Sequence, residues 1–405
     1  MTASRSVDHL IVGGGIAAAT AAQTLREEGA EGSILLVGRE LDPPYHRPPA
    51  TKEYLRGEAT KEDALIVPAA WYAEHDVELL TRTSVMNLDP VARTASLSTK
   101  EDVAYGQALL ATGSTVRRLQ ADGAQHDGIH YIRALGNADA VRADAEGQER
   151  AVVVGGSYLG CEVAASLSAL GLDVTILTQE AEPLERGFGA VVGRWIRGVL
   201  EAHGVTFVGS DEVGRFAAVA DRVSGVVTGA GRELPADLVV CGVGASPDVM
   251  LARRAGFELG PLGGVRCDAA LRTATSRDVF AAGDVCEYES VVHGRPIRVE
   301  HEDHAQQQGA HVARTMLGAA EPYRTVPYFF SDVGDWLSFE YVGPAAHWDE
   351  EVVRGSMDDG AFAVYYLQDG AVRGCLSVGG FDDLEAARTL IASGEAVGAD
   401  GVRAI

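Results

Sequence analysis

The residues best placed to do chemistry fall in two short glycine-rich runs. Gly13-Gly14-Gly15-Ile16-Ala17-Ala18 follows the apolar run His9-Leu10-Ile11-Val12, and Gly155-Gly156-Ser157-Tyr158-Leu159-Gly160 follows Ala151-Val152-Val153-Val154. A turn of this kind, between a buried strand and a helix, binds the pyrophosphate of a dinucleotide. Its first glycine allows the tight turn, the third position lets the backbone approach the anion, and a small sixth residue lets helix and strand pack closely. Those positions are Gly13, Gly15 and Ala18 in the first run and Gly155, Ser157 and Gly160 in the second. Serine is small enough to keep most of the approach. The free N–H groups and partial positive charge at each helix start supply the attraction.

The surrounding elements repeat as well. The first turn opens an alanine-rich helix to about Gly29, then a strand over Ser33–Gly38, with Glu40 just beyond to accept hydrogen bonds from an adenosine ribose. The second opens a helix to Gly171 and a strand over Asp173–Leu177, ending in Thr178-Gln179-Glu180. Tyr105–Gly113, which includes Ala111 and Thr112, closes the first unit, and Leu234–Gly244, which includes Gly242, closes the second in the same style. Asp278–Ala282 reads as a buried strand running into Gly283-Asp284. That aspartate is either a cap or turn residue or a carboxylate for the hydroxyls of a flavin's ribityl chain.

The fold class is therefore α/β. Two Rossmann-like dinucleotide-binding domains, the second inserted into the first, precede a small C-terminal α+β domain. The expected boundaries are 1–114 with 245–321 for the first dinucleotide-binding domain, 115–244 for the second and 322–405 for the C-terminal domain. In the last, strand-like runs 336–343, 351–356, 361–367 and 371–378 include a hairpin signal at Asp369-Gly370, and a helix follows from about Asp382 to Ser393.

Composition excludes several classes. A formal charge of −24 over 405 residues argues against nucleic acid, whose phosphates need a basic face, and against anionic membranes. No apolar run approaches the ~20 residues that cross a bilayer. Only Met1–Ser6 precede the first strand, so no leader peptide is expected and the chain is placed in the cytoplasm. Cysteines at 161, 241, 267, 286 and 375 form no close pair, which excludes a redox dithiol of adjacent cysteines. Cys161 and Cys286 are read as packing residues. His301 and His304 lack a third ligand nearby, and no metal is expected.

Several segments together resemble the FAD-dependent pyridine nucleotide reductases: GGGIAA, the ATG at 111–113, GGSYLGCE, GVGASPD and DVFAAGDV. Tyr45-His46-Arg47-Pro48-Pro49-Ala50-Thr51-Lys52 is similar to the Y-x-R-P-P-L-S-K segment of oxygenase-system ferredoxin reductases and of apoptosis-inducing factor. Val299–Ala305 resembles V-E-H-x-D-H-A, and Pro327–Asp332 resembles the F-W-S-D stretch of the same group. The resemblance implies tightly bound, non-covalent FAD. Gly13, Gly15, Ile16, Ala17 and Ala18 would hold its pyrophosphate and Glu40 its ribose. Val85 would lie near the adenine, and Arg47, Lys52, Ala111, Thr112, Gly113 and Arg133 would line the flavin. Gly283 and Asp284 would meet the ribityl chain, with Glu300, His301, Ala305 and Phe330 close to the ring. Gly155, Ser157, Tyr158, Leu159, Gly160, Thr178, Gly242 and Gly244 would take the nicotinamide cofactor. Lys52 and Glu162 would form an ion pair beside the flavin and act in hydride transfer. The helix after Glu302 would aim its N-terminus at the ring.

The implied activity is an NAD(P)H-dependent ferredoxin reductase, passing electrons through FAD to an iron–sulfur ferredoxin that serves a P450 or Rieske-type oxygenase. The alternatives are an NADH oxidase or small-molecule or quinone reductase, and a redox-sensing interaction protein like apoptosis-inducing factor. The acid-bearing turn at Thr178-Gln179-Glu180, with no arginine in it, favours NADH, with NADPH possible. The chain is expected as a monomer or homodimer. It departs from the resemblance at Glu302, where ferredoxin reductases often carry tryptophan, at Phe330, where most do, and in reading PPATK for PPLSK.

Overall fold

In the computed structural model, which describes residues 5–405, the apolar run before the first glycine turn is the strand Arg5–Val12. It lies parallel to Ile34–Val37 on one side and to Asp102–Leu110 on the other, and Val77–Leu80 extends the sheet beyond Ile34–Val37. Ile34–Val37 is buried throughout, as a parallel strand covered on both faces must be. Asp102–Leu110 divides its outer edge. Its first half pairs with the hairpin strand Thr94–Leu97, and its second half takes Val279–Ala281 in parallel, with Ala108 opposite Val279 and Leu110 opposite Ala281.

A second parallel sheet is built entirely between those segments, in the order 206–208, 173–177, 150–154, 238–241, 129–130. The strand preceding each glycine turn occupies the same place in its sheet, so the repetition read in the sequence is a repetition of topology. The helix Glu302–Met316 packs against Ile16–Glu27 so closely that a Cβ on Gly309 would stand 2.5 Å from the Ala17 carbonyl oxygen. No larger residue fits that crossing.

The C-terminal sheet is antiparallel, in the order 328–333, 337–342, 371–378, 361–368, 350–356. Four of its strands match the expected runs. The edge strand Tyr328–Val333 adds a fifth, and its alternation of buried Phe329, Ser331 and Val333 with exposed Phe330 fits one face on the core. Asp369 and Gly370 have φ of 53° and 75°, both positive as the tight hairpin turn requires. The helix Leu384–Ser393 starts two residues later than expected, and a short helix Gly398–Arg403 was not anticipated. Residues 1–4, part of the stretch on which the leader-peptide expectation rests, lie outside the described residues. Among the described residues no helix is long and apolar enough to cross a membrane.

Candidate active site

The two parallel sheets and the C-terminal sheet meet at a cavity of about 1180 Å³. This exceeds the ~300–1,000 Å³ of a site for one drug-sized ligand and leaves room for extended molecules. Gly13, Gly15, Ile16, Ala17, Glu40, Arg47, Lys52, Val85, Ala111, Thr112, Gly113 and Arg133 line it, as do Ser157, Tyr158, Leu159, Glu162, Gly242, Gly244, Gly283, Asp284, Glu300, His301, Ala305 and Phe330. Four expected residues stand behind the wall: Ala18, Gly155, Gly160 and Thr178. Ala18 is buried where its helix packs, and Thr178 sits against Gly156.

The two turns are built alike. Gly13 has φ +140°, and a Cβ there would stand 2.0 Å from the Ala111 carbonyl oxygen; Gly155 has φ +116°, and its Cβ would stand 2.4 Å from the Gly242 oxygen. In both units the first glycine lets the turn press against the strand that closes the unit. Around Gly15, by contrast, a Cβ meets nothing within 4 Å, so the space ahead of the first helix is open to a ligand. Ser157 faces the equivalent space in the second unit and reaches the Gly242 carbonyl oxygen with its hydroxyl at 3.4 Å.

Charged side chains are placed in pairs along the wall. Burial raises the Glu40 carboxyl, but the Arg47 charge and hydrogen bonds from Arg47 and the Tyr45 hydroxyl outweigh it, so the group is held below its ordinary value. Arg47 also donates to the Arg133 carbonyl oxygen at 2.8 Å. Asp284 accepts the Ser114 hydroxyl on Oδ2 at 2.6 Å and faces Arg133 at 3.6 Å, which leaves Oδ1 for another donor.

Lys52 Nζ lies 2.6 Å from Glu162 Oε1, with both side chains 9% exposed. Thr51 donates its hydroxyl to Glu162 Oε2, and Ser331 donates to Oε1, each at 2.6 Å. One carboxylate thus gathers the 45–52 segment, the helix Tyr158–Ala169 and the strand Tyr328–Val333. Such satisfaction is what a buried ion pair needs to offset its desolvation. The Lys52 ammonium also stands 5.9 Å from the centre of the Phe330 ring.

His301 stacks on Phe329 with ring centres 4.1 Å apart, and burial pushes its pKa down to about 4 against the smaller opposing pull of Asp284. His304 does not reach the cavity. It packs between Tyr288 and Tyr323, where burial holds it at about 3. Cys161 is fully buried and pushed up to about 12 by that burial, away from thiolate chemistry. The partners missed by sequence reasoning are Thr51, Ser114 and Ser331, and also Gln308, whose side-chain oxygen accepts the Gly283 N–H at 2.8 Å. Ser331 is a polar residue on the buried side of its strand, and nothing local in the sequence marks it or the others as partners.

A large cavity between two glycine-turn sheets, backed by an antiparallel domain, defines a two-nucleotide oxidoreductase. Residues 7–309 match the pyridine nucleotide-disulphide oxidoreductase family and residues 328–403 the reductase C-terminal family, and the chain belongs to this family in its ferredoxin reductase branch. It is 34% identical to ferredoxin–NAD(P)(+) reductase of a Sphingomonas species over 90% of this chain and 88% of that protein. It is 32% identical to rhodocoxin reductase of Rhodococcus erythropolis over 95% and 89%. The covalent putidaredoxin reductase–putidaredoxin complex contains a similar chain, at TM-score 0.91 and 30% identity, covering 98% of this chain and 95% of that one.

The family implies FAD and NAD(P)H. The open space before Gly15, the spare oxygen of Asp284 and the arginines Arg47 and Arg133 in the same cavity fit a dinucleotide carrying a flavin.

Proposed function

We propose that this chain is an NADH-preferring ferredoxin reductase that feeds an oxygenase. The observation carrying the reading is the buried Lys52–Glu162 pair at the junction of both nucleotide-binding units and the C-terminal sheet. When bound, FAD supplies the chemistry that accepts two electrons from a nicotinamide and releases them one at a time.

The chain's own residues bind and orient. Backbone N–H groups around Gly15 and Ile16 hold the flavin-side pyrophosphate. Glu40, with lone pairs left after Arg47 and Tyr45, would accept from the adenosine ribose, and Asp284 Oδ1 would accept from the ribityl hydroxyls. Ser157, Tyr158, Leu159, Gly242 and Gly244 seat the nicotinamide cofactor. Lys52, fixed by Glu162, would hold a positive charge towards the bound flavin, with Phe330 and His301 in the same wall.

For NADH over NADPH, the supporting feature is Glu180. It lies just past the strand Asp173–Leu177 and pairs with Arg186 at 3.1 Å, so the nearby arginine is occupied and a carboxylate is offered to a ribose hydroxyl. The units run 1–114 with 245–321, 115–244, and 322–405; supporting the division, every strand of the second parallel sheet falls within 129–241. Five buried thiols, none in a disulfide, suit the reducing cytoplasm.

Stopped-flow reduction by NADH and by NADPH, followed by reoxidation with a ferredoxin, a quinone or air, tests the proposal. Fast reduction by NADH and fast reoxidation by ferredoxin support it. Rapid oxygen consumption would assign an oxidase instead, and a long-lived reduced complex with altered dimerisation would assign a redox sensor.

A further inference from the structure

The helix Glu302–Met316 starts at the cavity wall, and its first residue is a carboxylate. Glu302 Oε1 lies 2.5 Å from His46 Nδ1, across 256 positions of sequence, with the two side chains 22% and 42% exposed. His46 is itself anchored through its backbone, donating to the Ala64 carbonyl oxygen at 2.8 Å. The contact therefore closes one side of the cavity, joining the 45–52 segment to the helix start.

We infer that His46 and Glu302 form a proton-dependent clasp that positions the helix start and sets the net charge presented to the bound flavin. The inference rests on the reading of the cavity as a flavin site. With His46 protonated the pair is neutral as a unit; when the imidazole loses its proton, the Glu302 charge stands uncompensated at the wall. A negative charge there opposes the build-up of negative charge on a reduced ligand.

The surroundings leave His46 to this one partner. On its own segment, Arg47 is committed to Glu40 and Lys52 to Glu162. Asp63, next to the Ala64 anchor, is taken by Thr60. On the helix, Asp303 faces Glu302, Gln307 and the Arg388 charge, and burial raises its carboxyl. From the C-terminal sheet, Asp332 lines the same cavity without a contact to His46. The hydrogen bond that His46 donates to the Glu302 carboxylate, together with the charge of that carboxylate, raises His46 above its ordinary 6.5 against the opposing effect of burial. The clasp is thus intact below that value and is released as pH rises through the raised one.

The experiment is a spectroelectrochemical titration of the flavin bound to the full-length holoprotein, from pH 5.5 to 9 at fixed ionic strength, with His46→Gln, Glu302→Gln and the double variant. The native protein should show an extra downward inflection in midpoint potential above neutral pH. About a tenfold change in the ratio of reduced to oxidised flavin is expected, ~30 mV for a two-electron couple. His46→Gln should hold the lower potential throughout. Glu302→Gln should hold a higher one and move any inflection to lower pH, and the double variant should show none. An inflection unchanged across all four proteins, or absent from the native one, overturns the clasp. A protein that binds no flavin overturns the cavity assignment instead, and bound-flavin absorbance before each titration separates the two failures.

Discussion

Ser331 donates its hydroxyl to Glu162 across 2.6 Å, binding the edge strand of the C-terminal sheet to the helix Tyr158–Ala169 that follows the second glycine turn. Only 169 positions of chain separate them, but they belong to different layers of the molecule. Through that bond the C-terminal domain helps hold the carboxylate that holds Lys52.

Removing Lys52 should therefore do more than subtract a charge. Lys52→Ala leaves Glu162 buried with two hydroxyl donors and no counter-ion, a change that typically costs about 3–5 kcal/mol. Reduction by NADH in a stopped-flow instrument should slow by about 100-fold, the order expected when a reacting pair is misplaced by an ångström. Ser331→Ala, which keeps the ion pair, should slow it less. An unchanged rate in Lys52→Ala would remove the lysine from hydride transfer.

The two glycines of the first turn should fail for different reasons. Gly13→Val puts a side chain onto the Ala111 carbonyl at a positive φ, and the protein should purify colourless with a lowered melting temperature. Gly15→Ala meets no neighbour, so the apoprotein should keep its melting temperature. The methyl group then occupies the ligand's space, and FAD affinity should fall by at least about tenfold, ~1.4 kcal/mol. Flavin absorbance and a fluorescence titration distinguish these outcomes.

The Glu180–Arg186 pair makes a prediction about cofactor choice. Glu180→Ala frees the arginine and removes the carboxylate. The ratio of kcat/KM for NADH to that for NADPH should fall by about tenfold, mainly through KM, as the loss of one hydrogen bond to a charged acceptor implies. A ratio that does not move places cofactor discrimination elsewhere.

Acid stability should report His304. Its folded pKa of about 3 lies below the ordinary 6.5. The folded state binds this proton less well than the unfolded chain, so the contribution to stability is present above pH 6.5 and is lost as pH falls towards 3. Each such histidine adds about 1.4 kcal/mol per pH unit to the slope within that window, and His301 acts the same way down to about pH 4. In urea denaturation of the holoprotein, His304→Phe should make the limb between pH 6 and 4.5 shallower by about that amount. An unaltered slope would show that His304 is not buried in the neutral form.

What the sequence made legible was local. Glycine turns, apolar runs and the alternation of inner and outer residues identified both nucleotide-binding units and most of the C-terminal strands, because strand and helix periodicity are written along the chain. The Lys52–Glu162 pair came from resemblance, and the structure brings those residues into contact. Thr51 and Ser331 as its supports were not legible, nor was Glu302 as the partner of His46. Short polar residues carry no mark of what they face across the fold. The strand Tyr328–Val333 was missed because its residue types do not alternate: Phe330 is exposed and Ser331 is buried. His304 sits three residues from His301, yet its ring packs in the core between Tyr288 and Tyr323. His301 precedes the helix with extended backbone (φ −119°, ψ 143°), so a spacing of three does not bring the two rings to one face.

The pairing of Val279–Ala281 with Asp102–Leu110 has a consequence for biosynthesis. The inserted sheet uses only residues 129–241, whereas the first stays open along one edge until residue 281 has been made. On the ribosome the inner unit can close while the outer one still waits for its last strand. The carboxylate of Asp284 arrives three residues after that strand ends, so this wall of the cavity is completed late in translation, next to a unit whose strands have all been made.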